Sequence, residues 1–284
     1  MSIHFEKVSH IYSPKTPFEF KALEDITMDF SVGKITAIVG ATGSGKTTLV
    51  QHLNGLLLPT VGEVTVNDMT IKAGEKLKNV KDLRKQVGLV FQFSEYQLFE
   101  ETILKDVAFG PKNFGVPEEE AMKIAAAALI TCGIDQSNFE KSPLELSGGN
   151  KRRVAIAGIL AMKPSVLVLD EPTAGLDPQG AKKMMELFKL LNQKEGTTVL
   201  IVTHNMEHVL DYCDEVAVLE KGKLVMHTDV NTFFESSDFM QKAAIDPPTV
   251  IQFKELCKEH GVEFDPSILT VDKLADAIAK RCKK

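Results

Sequence analysis

The run Gly40-Ala41-Thr42-Gly43-Ser44-Gly45-Lys46-Thr47 has the composition and spacing to hold a phosphate chain. It fits G-x-x-x-x-G-K-[ST], in which glycines let the backbone bend until successive N–H groups converge on phosphate oxygens. A helix opening at Lys46 would add about half a positive charge at its N-terminus. Lys46 supplies a full charge near the β- and γ-phosphates, and Thr47 a hydroxyl suited to Mg²⁺, which prefers hard oxygen ligands.

Two carboxylates, Asp170 and Glu171, follow the apolar run Val166-Leu167-Val168-Leu169. They would stand where a buried strand leaves its sheet, the end at which open α/β sheets bind ligands. Asp170 can hold Mg²⁺ directly or through water, and Glu171 can polarise the water that attacks a γ-phosphate. Read alone, such a pair is more often a solvated loop start; beside the phosphate loop the functional reading takes precedence. His204 follows the run 198–202 and is either a structural histidine or a contact to the γ-phosphate and the water-activating carboxylate. Gln92, after the run 87–91, is either a polar strand end or an amide that senses Mg²⁺ and the attacking water. Ser147 suits a helix N-cap, and Gly148-Gly149 leave backbone N–H groups open to an anion.

These residues need a scaffold, and the hydrophobic pattern supplies one. Continuous apolar runs at 35–39, 87–91, 166–169 and 198–202 read as buried parallel strands. Helical stretches at 46–57, 118–132, 147–162 and 178–193 lie between them, so the expected class is α/β. The first thirty residues alternate and predict strands interrupted by Ser13-Pro14-Lys15-Thr16-Pro17. Val216-Ala217-Val218-Leu219 and Leu224-Val225-Met226 predict a hairpin about a Gly-containing loop, closing a main domain at about residue 228. Residues 229–284 then form a helical appendage too small to be a comfortable free-standing fold. Its last helix carries Val271, Leu274, Ala275, Ile278 and Cys282 on a narrow apolar face.

Composition narrows the function classes. The chain has 284 residues, 44% hydrophobic and 25% charged, which excludes a disordered polypeptide. Net charge is −6 with Lys and Arg scattered, which argues against a duplex-binding surface, and no nucleic-acid partner is expected. The longest apolar runs, 124–130 and 154–162, fall short of the roughly 18–20 residues a membrane-spanning helix requires. Cysteines at 132, 213, 257 and 282 form no C-x-x-C pair and read as reduced packing residues. Met1-Ser2-Ile3-His4-Phe5-Glu6 shows no basic segment followed by an apolar one, so a cytosolic location is expected.

Leu146-Ser147-Gly148-Gly149-Asn150 combines with the phosphate loop, Gln92, Asp170-Glu171, Ala174-Gly175-Leu176-Asp177 and His204, in that order. Together they resemble the nucleotide-binding subunit of ATP-binding cassette (ABC) transporters over residues 1 to about 228. The resemblance implies a P-loop NTPase fold: a RecA-like core, an N-terminal antiparallel β region and a helical signature subdomain. It also implies roles. Gly40, Thr42, Gly43, Ser44, Gly45, Lys46, Thr47 and Thr48 match the Walker A loop. Gln92 matches the Q-loop, Ser147, Gly148 and Gly149 the signature, and Asp170 the Walker B aspartate. Glu171 matches the catalytic base, Asp177 the D-loop and His204 the switch histidine. Tyr12 lies where the family places an adenine-stacking aromatic, with Phe18 and Phe20 nearby and a core tyrosine an equal alternative. Asn150 departs from the usual Gln and shortens the amide's reach by one methylene.

A finer resemblance rests on 92–102, on Lys105-Asp106-Val107-Ala108-Phe109-Gly110-Pro111, on Thr16-Pro17-Phe18-Glu19 and on Arg152-Arg153-Val154-Ala155-Ile156-Ala157-Gly158. These segments and the C-terminal appendage are similar to the second ATP-binding subunit of energy-coupling factor (ECF) transporters. Such importers imply ATP and Mg²⁺, a second and different ATPase chain, a transmembrane coupling protein and a substrate-binding membrane subunit for vitamins or metal ions. They imply a peripheral place on the cytoplasmic face of the membrane. Each ATP would lie between the Walker A loop of one ATPase and the signature of the other. Phe91, Phe93, Tyr96, Leu98 and Phe99 would then dock the coupling protein or fill this domain's own core, and the appendage would contact the partner ATPase. A non-transport ABC ATPase acting on nucleic acid or ribosomes is the alternative, although such proteins carry coiled-coil insertions or tandem cassettes that this sequence lacks. A module that binds ATP without hydrolysing it is opposed by Lys46, Asp170, Glu171 and His204.

Overall fold

Strands covered on both faces can be apolar throughout, and this chain has several. The computed structural model describes residues 2–236, 240 and 245–282. The N-terminal half runs β1 (Ile3–Tyr12), β2 (Phe20–Phe30), β3 (Ile35–Val39), α1 (Lys46–Leu53), β4 (Val61–Val66), β5 (Met69–Lys72), α2 (Val80–Gln86), β6 (Val87–Val90), α3 (Ile103–Asn113) and α4 (Glu118–Thr131). The rest runs α5 (Gly148–Leu160), β7 (Val166–Asp170), α6 (Pro178–Glu195), β8 (Thr198–Val202), α7 (Met206–Tyr212), β9 (Glu215–Glu220), β10 (Lys223–Asp229), α8 (Val230–Glu235), α9 (Thr249–Glu259) and α10 (Val271–Cys282).

One sheet has the order β10-β9-β3-β8-β7-β6, with every neighbouring pair from β9 to β6 parallel and β10 antiparallel at the edge. A second, antiparallel sheet has the order β2-β1-β4-β5. Residues of β3, β6, β7 and β8 are buried along their whole length. Period-two alternation sends them to different cores. Leu167, Leu169, Val199 and Ile201 pack with Val107, Leu129, Val154 and Phe188 of α3 to α6. Val166, Val168, Leu200 and Val202 pack with α1 and the antiparallel sheet, through Leu49, Leu53, Phe5 and Ile26. The α/β class and the antiparallel N-terminal region expected from sequence are therefore present.

The differences lie at element ends. α1 stops at Leu53 instead of continuing to 57, because the chain enters the left-handed region at Gly55 (φ 65°) just after the Asn54 cap. The hairpin strands extend to Glu215–Glu220 and Lys223–Asp229 about a two-residue turn. Helices of the C-terminal appendage share a core with the sheet: Phe233, Ile251 and Leu274 pack with Val39, Val216 and Val218. On α10, Leu274 is buried and Ile278 joins this cluster, whereas Val271 is exposed; the side chain of Cys282 lies outside the described residues. Among the described residues, no helix is long and apolar enough to cross a membrane.

Candidate nucleotide site

The neighbours β3, β8, β7 and β6 end at one edge of their sheet. Ile38 and Asp170 both pair with Val202, and Val90 pairs with Leu169, so the carboxyl ends are level. Strands lie about 4.8 Å apart. The segments that follow them are brought side by side: the loop 40–47 after β3, His204 after β8, Asp170-Glu171 at the end of β7, and Gln92 after β6.

The loop is shaped by close approaches. Gly45 caps α1 at φ 102°, where a Cβ would lie 2.6 Å from the Ala22 carbonyl oxygen. A Cβ at Gly40 would lie 2.1 Å from the Leu219 carbonyl oxygen. From the hairpin turn, the Gly222 N–H donates to the Ser44 carbonyl at 3.0 Å. Ser44 is buried, and its hydroxyl has no partner among the described residues. Gly43, Gly45, Lys46, Thr47 and Thr48 line one cavity of about 150 Å³ together with Phe20 and Ala22.

Four side-chain contacts hold the charged residues in place. Lys46 Nζ donates to the carbonyls of Gly40 at 2.8 Å and Ala41 at 2.9 Å. Burial pushes its ammonium below the usual lysine range, opposed by the charges of Glu171 and Asp170. Thr47 Oγ1 donates to Asp170 Oδ2 at 2.9 Å. Asp170 is buried, which pushes its carboxyl up against the opposing pull of Thr47 and Lys46. Glu171 Oε1 lies 2.8 Å from His204 Nδ1. The Glu171 backbone is left-handed at φ 49°, an uncommon conformation for a non-glycine residue, and its N–H bonds the Val202 carbonyl at 2.9 Å. The turn out of β7 thus aims Glu171 toward the end of β8.

Tyr12 stands beside the loop, its hydroxyl 3.2 Å from Thr48 Oγ1 and its ring edge-on to His10 at 4.6 Å. Phe20 is its cross-strand partner and is exposed on the cavity wall. From the sequence Phe20 is only a neighbour of Tyr12; the pairing of β1 with β2 places it opposite. Behind Tyr12, His52 Nδ1 contacts the Thr48 carbonyl at 2.7 Å and its Nε2 lies 3.2 Å from His10 Nδ1, which is 3.1 Å from the Leu58 carbonyl. A proton on Nδ1 of each ring, that of His10 shared between the Leu58 carbonyl and His52 Nε2, satisfies all three contacts. Burial pushes His52 down to about 4.

Other sequence-selected residues stand apart from this network. Gln92 is exposed and makes no hydrogen bond to it among the described residues. Ser147 caps α5, its hydroxyl accepting from the Asn150 N–H at 3.4 Å, and a Cβ at Gly148 would meet nothing within 4 Å. The start of α5 is therefore open around Gly148, while a Cβ at Gly149 would lie 3.4 Å from Leu176 Cδ2. Asp177 caps α6, accepting from the Gly180 N–H at 2.9 Å. That bond and its backbone neighbours hold its carboxyl below the usual range. Thr42 is exposed on the loop.

A model of the family described as ABC transporter matches residues 23–174. The chain belongs to the ABC transporter family. It is 50% identical over 284 residues to the energy-coupling factor transporter ATP-binding protein EcfA2 of Enterococcus faecalis, covering 100% of this chain and 98% of that protein. It is 48% identical over 280 residues to the EcfA2 protein of Spiroplasma kunkelii, covering 98% of this chain and 92% of the relative. Among solved structures it is similar to cbiO1 of Clostridium perfringens, described as part of the ABC transporter complex cbiONQ. That match has a TM-score of 0.74 and 36% identity, covering 89% of this chain and 98% of the other. A dimeric ATP-binding cassette, MJ0796, in a post-hydrolysis state bound to ADP and Pi matches with a TM-score of 0.71 and 29% identity, covering 80% and 98%. This ABC ATPase accordingly binds ATP, and its relatives place it in the energy-coupling factor group.

Proposed function

We propose that the chain is the ATP-hydrolysing subunit of an energy-coupling factor importer. It works at the cytoplasmic face of the membrane with a second ATPase, a transmembrane coupling protein and a substrate-binding membrane subunit for vitamins or metal ions. Within it, residues 1–228 form the ATPase domain and 229–284 an extension that contacts the partner ATPase. The observation that carries the catalytic reading is the 2.8 Å contact of Glu171 with His204, next to the 2.9 Å contact of Asp170 with Thr47. Lys46 leaves the loop carbonyls for the β- and γ-phosphates, and the N–H groups of Gly43, Ser44 and Gly45 close on the same oxygens. The Ser44 hydroxyl is placed to join them. Glu171 takes a proton from the attacking water, and His204, held by Glu171, contacts the γ-phosphate.

The donor set suits Mg²⁺. Thr47 and Asp170 offer a hydroxyl and a buried carboxylate already in contact, both hard oxygen donors, and Gln92 adds an amide oxygen from the next strand end. Held by these residues, Mg²⁺ would supply neutralisation of charge on the phosphates. Ser147, Gly148 and Gly149 point their open N–H groups at the ATP held by the partner subunit, and Asp177 lies at the same junction. Tyr12 and Phe20 flank the adenine end. Phe93, Tyr96 and Phe99 are exposed and suit docking of the coupling protein, whereas Phe91 and Leu98 pack on this chain's own cores.

The test is Glu171→Gln in the assembled complex. Nucleotide binding is retained and steady-state hydrolysis falls by at least about a hundredfold, the lower range for general-base catalysis. Near-normal hydrolysis would remove Glu171 from the role of base.

A further inference from the structure

Arg152 is 3% exposed, a full charge enclosed within the protein. Such a charge must be paired, and its partners come from two separate segments. Its Nε donates to Glu95 Oε2 at 3.1 Å, and Nη2 donates to Glu95 Oε1 at 3.1 Å and Oε2 at 3.0 Å. Its Nη1 donates to the carbonyl of Ala174. Glu95 sits on the one-turn helix Ser94–Gln97 that begins two residues after Gln92. Ala174 belongs to the turn that starts at Glu171, whose carbonyl accepts from the Ala174 N–H at 3.2 Å. Arg152 itself lies in the second turn of α5, the helix whose first turn carries Ser147, Gly148 and Gly149.

One planar group therefore joins three pieces of the site that stand apart in sequence. A second contact supports the same linkage: a Cβ at Gly149 would lie 3.4 Å from Leu176 Cδ2, so the start of α5 rests on the turn between Glu171 and Asp177. A guanidinium can bind a carboxylate along one edge, here Nε and Nη2, while Nη1 donates to a carbonyl; a lysine ammonium is a point charge without that fork.

We propose that Arg152, clamped by Glu95, is a positioning residue that couples the signature end of α5 to this chain's own Glu171 and Gln92. When α5 is drawn onto the ATP held by the partner subunit, the guanidinium carries the Glu171–Ala174 turn and the segment after Gln92 with it. Occupancy of one nucleotide site then sets the geometry of the other. The inference rests on the ATPase reading above.

The test compares Arg152→Gln, Arg152→Lys and Glu95→Gln in the assembled, purified complex. Measurements are MgATP affinity, kcat, KM and cooperativity toward ATP, with thermal melting as a control for folding. All three variants are expected to bind ATP within about twofold of wild type while kcat falls by about tenfold or more and cooperativity is lost, the signature of an interaction used at turnover. Arg152→Lys keeps the charge and fails to rescue. A purely structural role lowers the melting temperature and yield but leaves kcat and cooperativity of the folded complex at wild-type values, and that result overturns the proposal. If the Arg152 variants do not assemble, Glu95→Gln decides, since it preserves shape and one acceptor oxygen. Glu171→Gln separates the two ideas. Near-normal hydrolysis in Glu171→Gln overturns the role of Glu171 as base and the coupling to it. An inactive Glu171→Gln beside a Glu95→Gln of normal kcat and cooperativity overturns the coupling alone.

Discussion

His52→Gln should uncouple part of the protein's acid sensitivity from its fold. His52 is fully buried between α1 and β1, with its Nδ1 proton spent on the Thr48 carbonyl and its Nε2 facing His10 Nδ1 at 3.2 Å. Burial is the main cause of its fall from 6.5 to about 4. The unfolded chain binds this proton below about pH 6.5, whereas the folded chain refuses it until about pH 4. Stability linked to His52 is therefore complete above pH 6.5 and is lost as pH falls toward 4. At 1.36 kcal/mol per pH unit, the fall from 6.5 to about 4 corresponds to about 3 kcal/mol. Gln keeps a polar side chain but does not titrate. Urea unfolding of wild type and variant at half-unit pH intervals measures the gap between them. That gap should shrink by about 3 kcal/mol on acidification across this window. Burial lowers His10 in the same direction, and because His10 contacts His52 the gap reports the coupled pair. Parallel pH curves for wild type and variant would refute the reasoning.

Gly45→Ala should cost about 1–3 kcal/mol and abolish nucleotide binding, because the left-handed cap has no room for a Cβ beside the Ala22 carbonyl. Thermal melting and binding of a fluorescent ATP analogue measure the two effects, and unchanged values would contradict the close approach. Phe188→Ala removes a fully buried ring from the core between α6 and the sheet and should cost about 3–5 kcal/mol in urea unfolding without altering nucleotide affinity.

Much of this molecule is legible because its sheet strands are apolar without interruption and its phosphate loop follows one of them directly. Lys46, Thr47, Asp170, Glu171 and His204 each adjoin such a strand, so finding the strand nearly finds the residue. β4, β5 and α2 left little trace, since few of their residues are buried and the alternation of Val64 and Val66 is too short to stand out. α3 is masked by Gly110-Pro111 inside it. Packing of the appendage on β3 and β9 was hidden because an amphipathic face such as that of α10 does not say what covers it. Long-range polar pairs were least visible. His10 and His52 are 42 residues apart, and Arg152 and Glu95 are 57 apart, with no local pattern marking either contact.

The order of strands also bears on how the chain comes off the ribosome. β3 leaves before both of its sheet neighbours, β8 and β9, which follow only after β4 to β7 and α1 to α6, and the Gly222 amide that holds the Ser44 carbonyl comes later still. A nascent chain must carry Ile35–Val39 without its sheet partners until β8 and β9 have been made. Closing so long a segment makes native pairing slow. The phosphate grip thus takes shape only after the strands that follow it have arrived, well after its own residues are made.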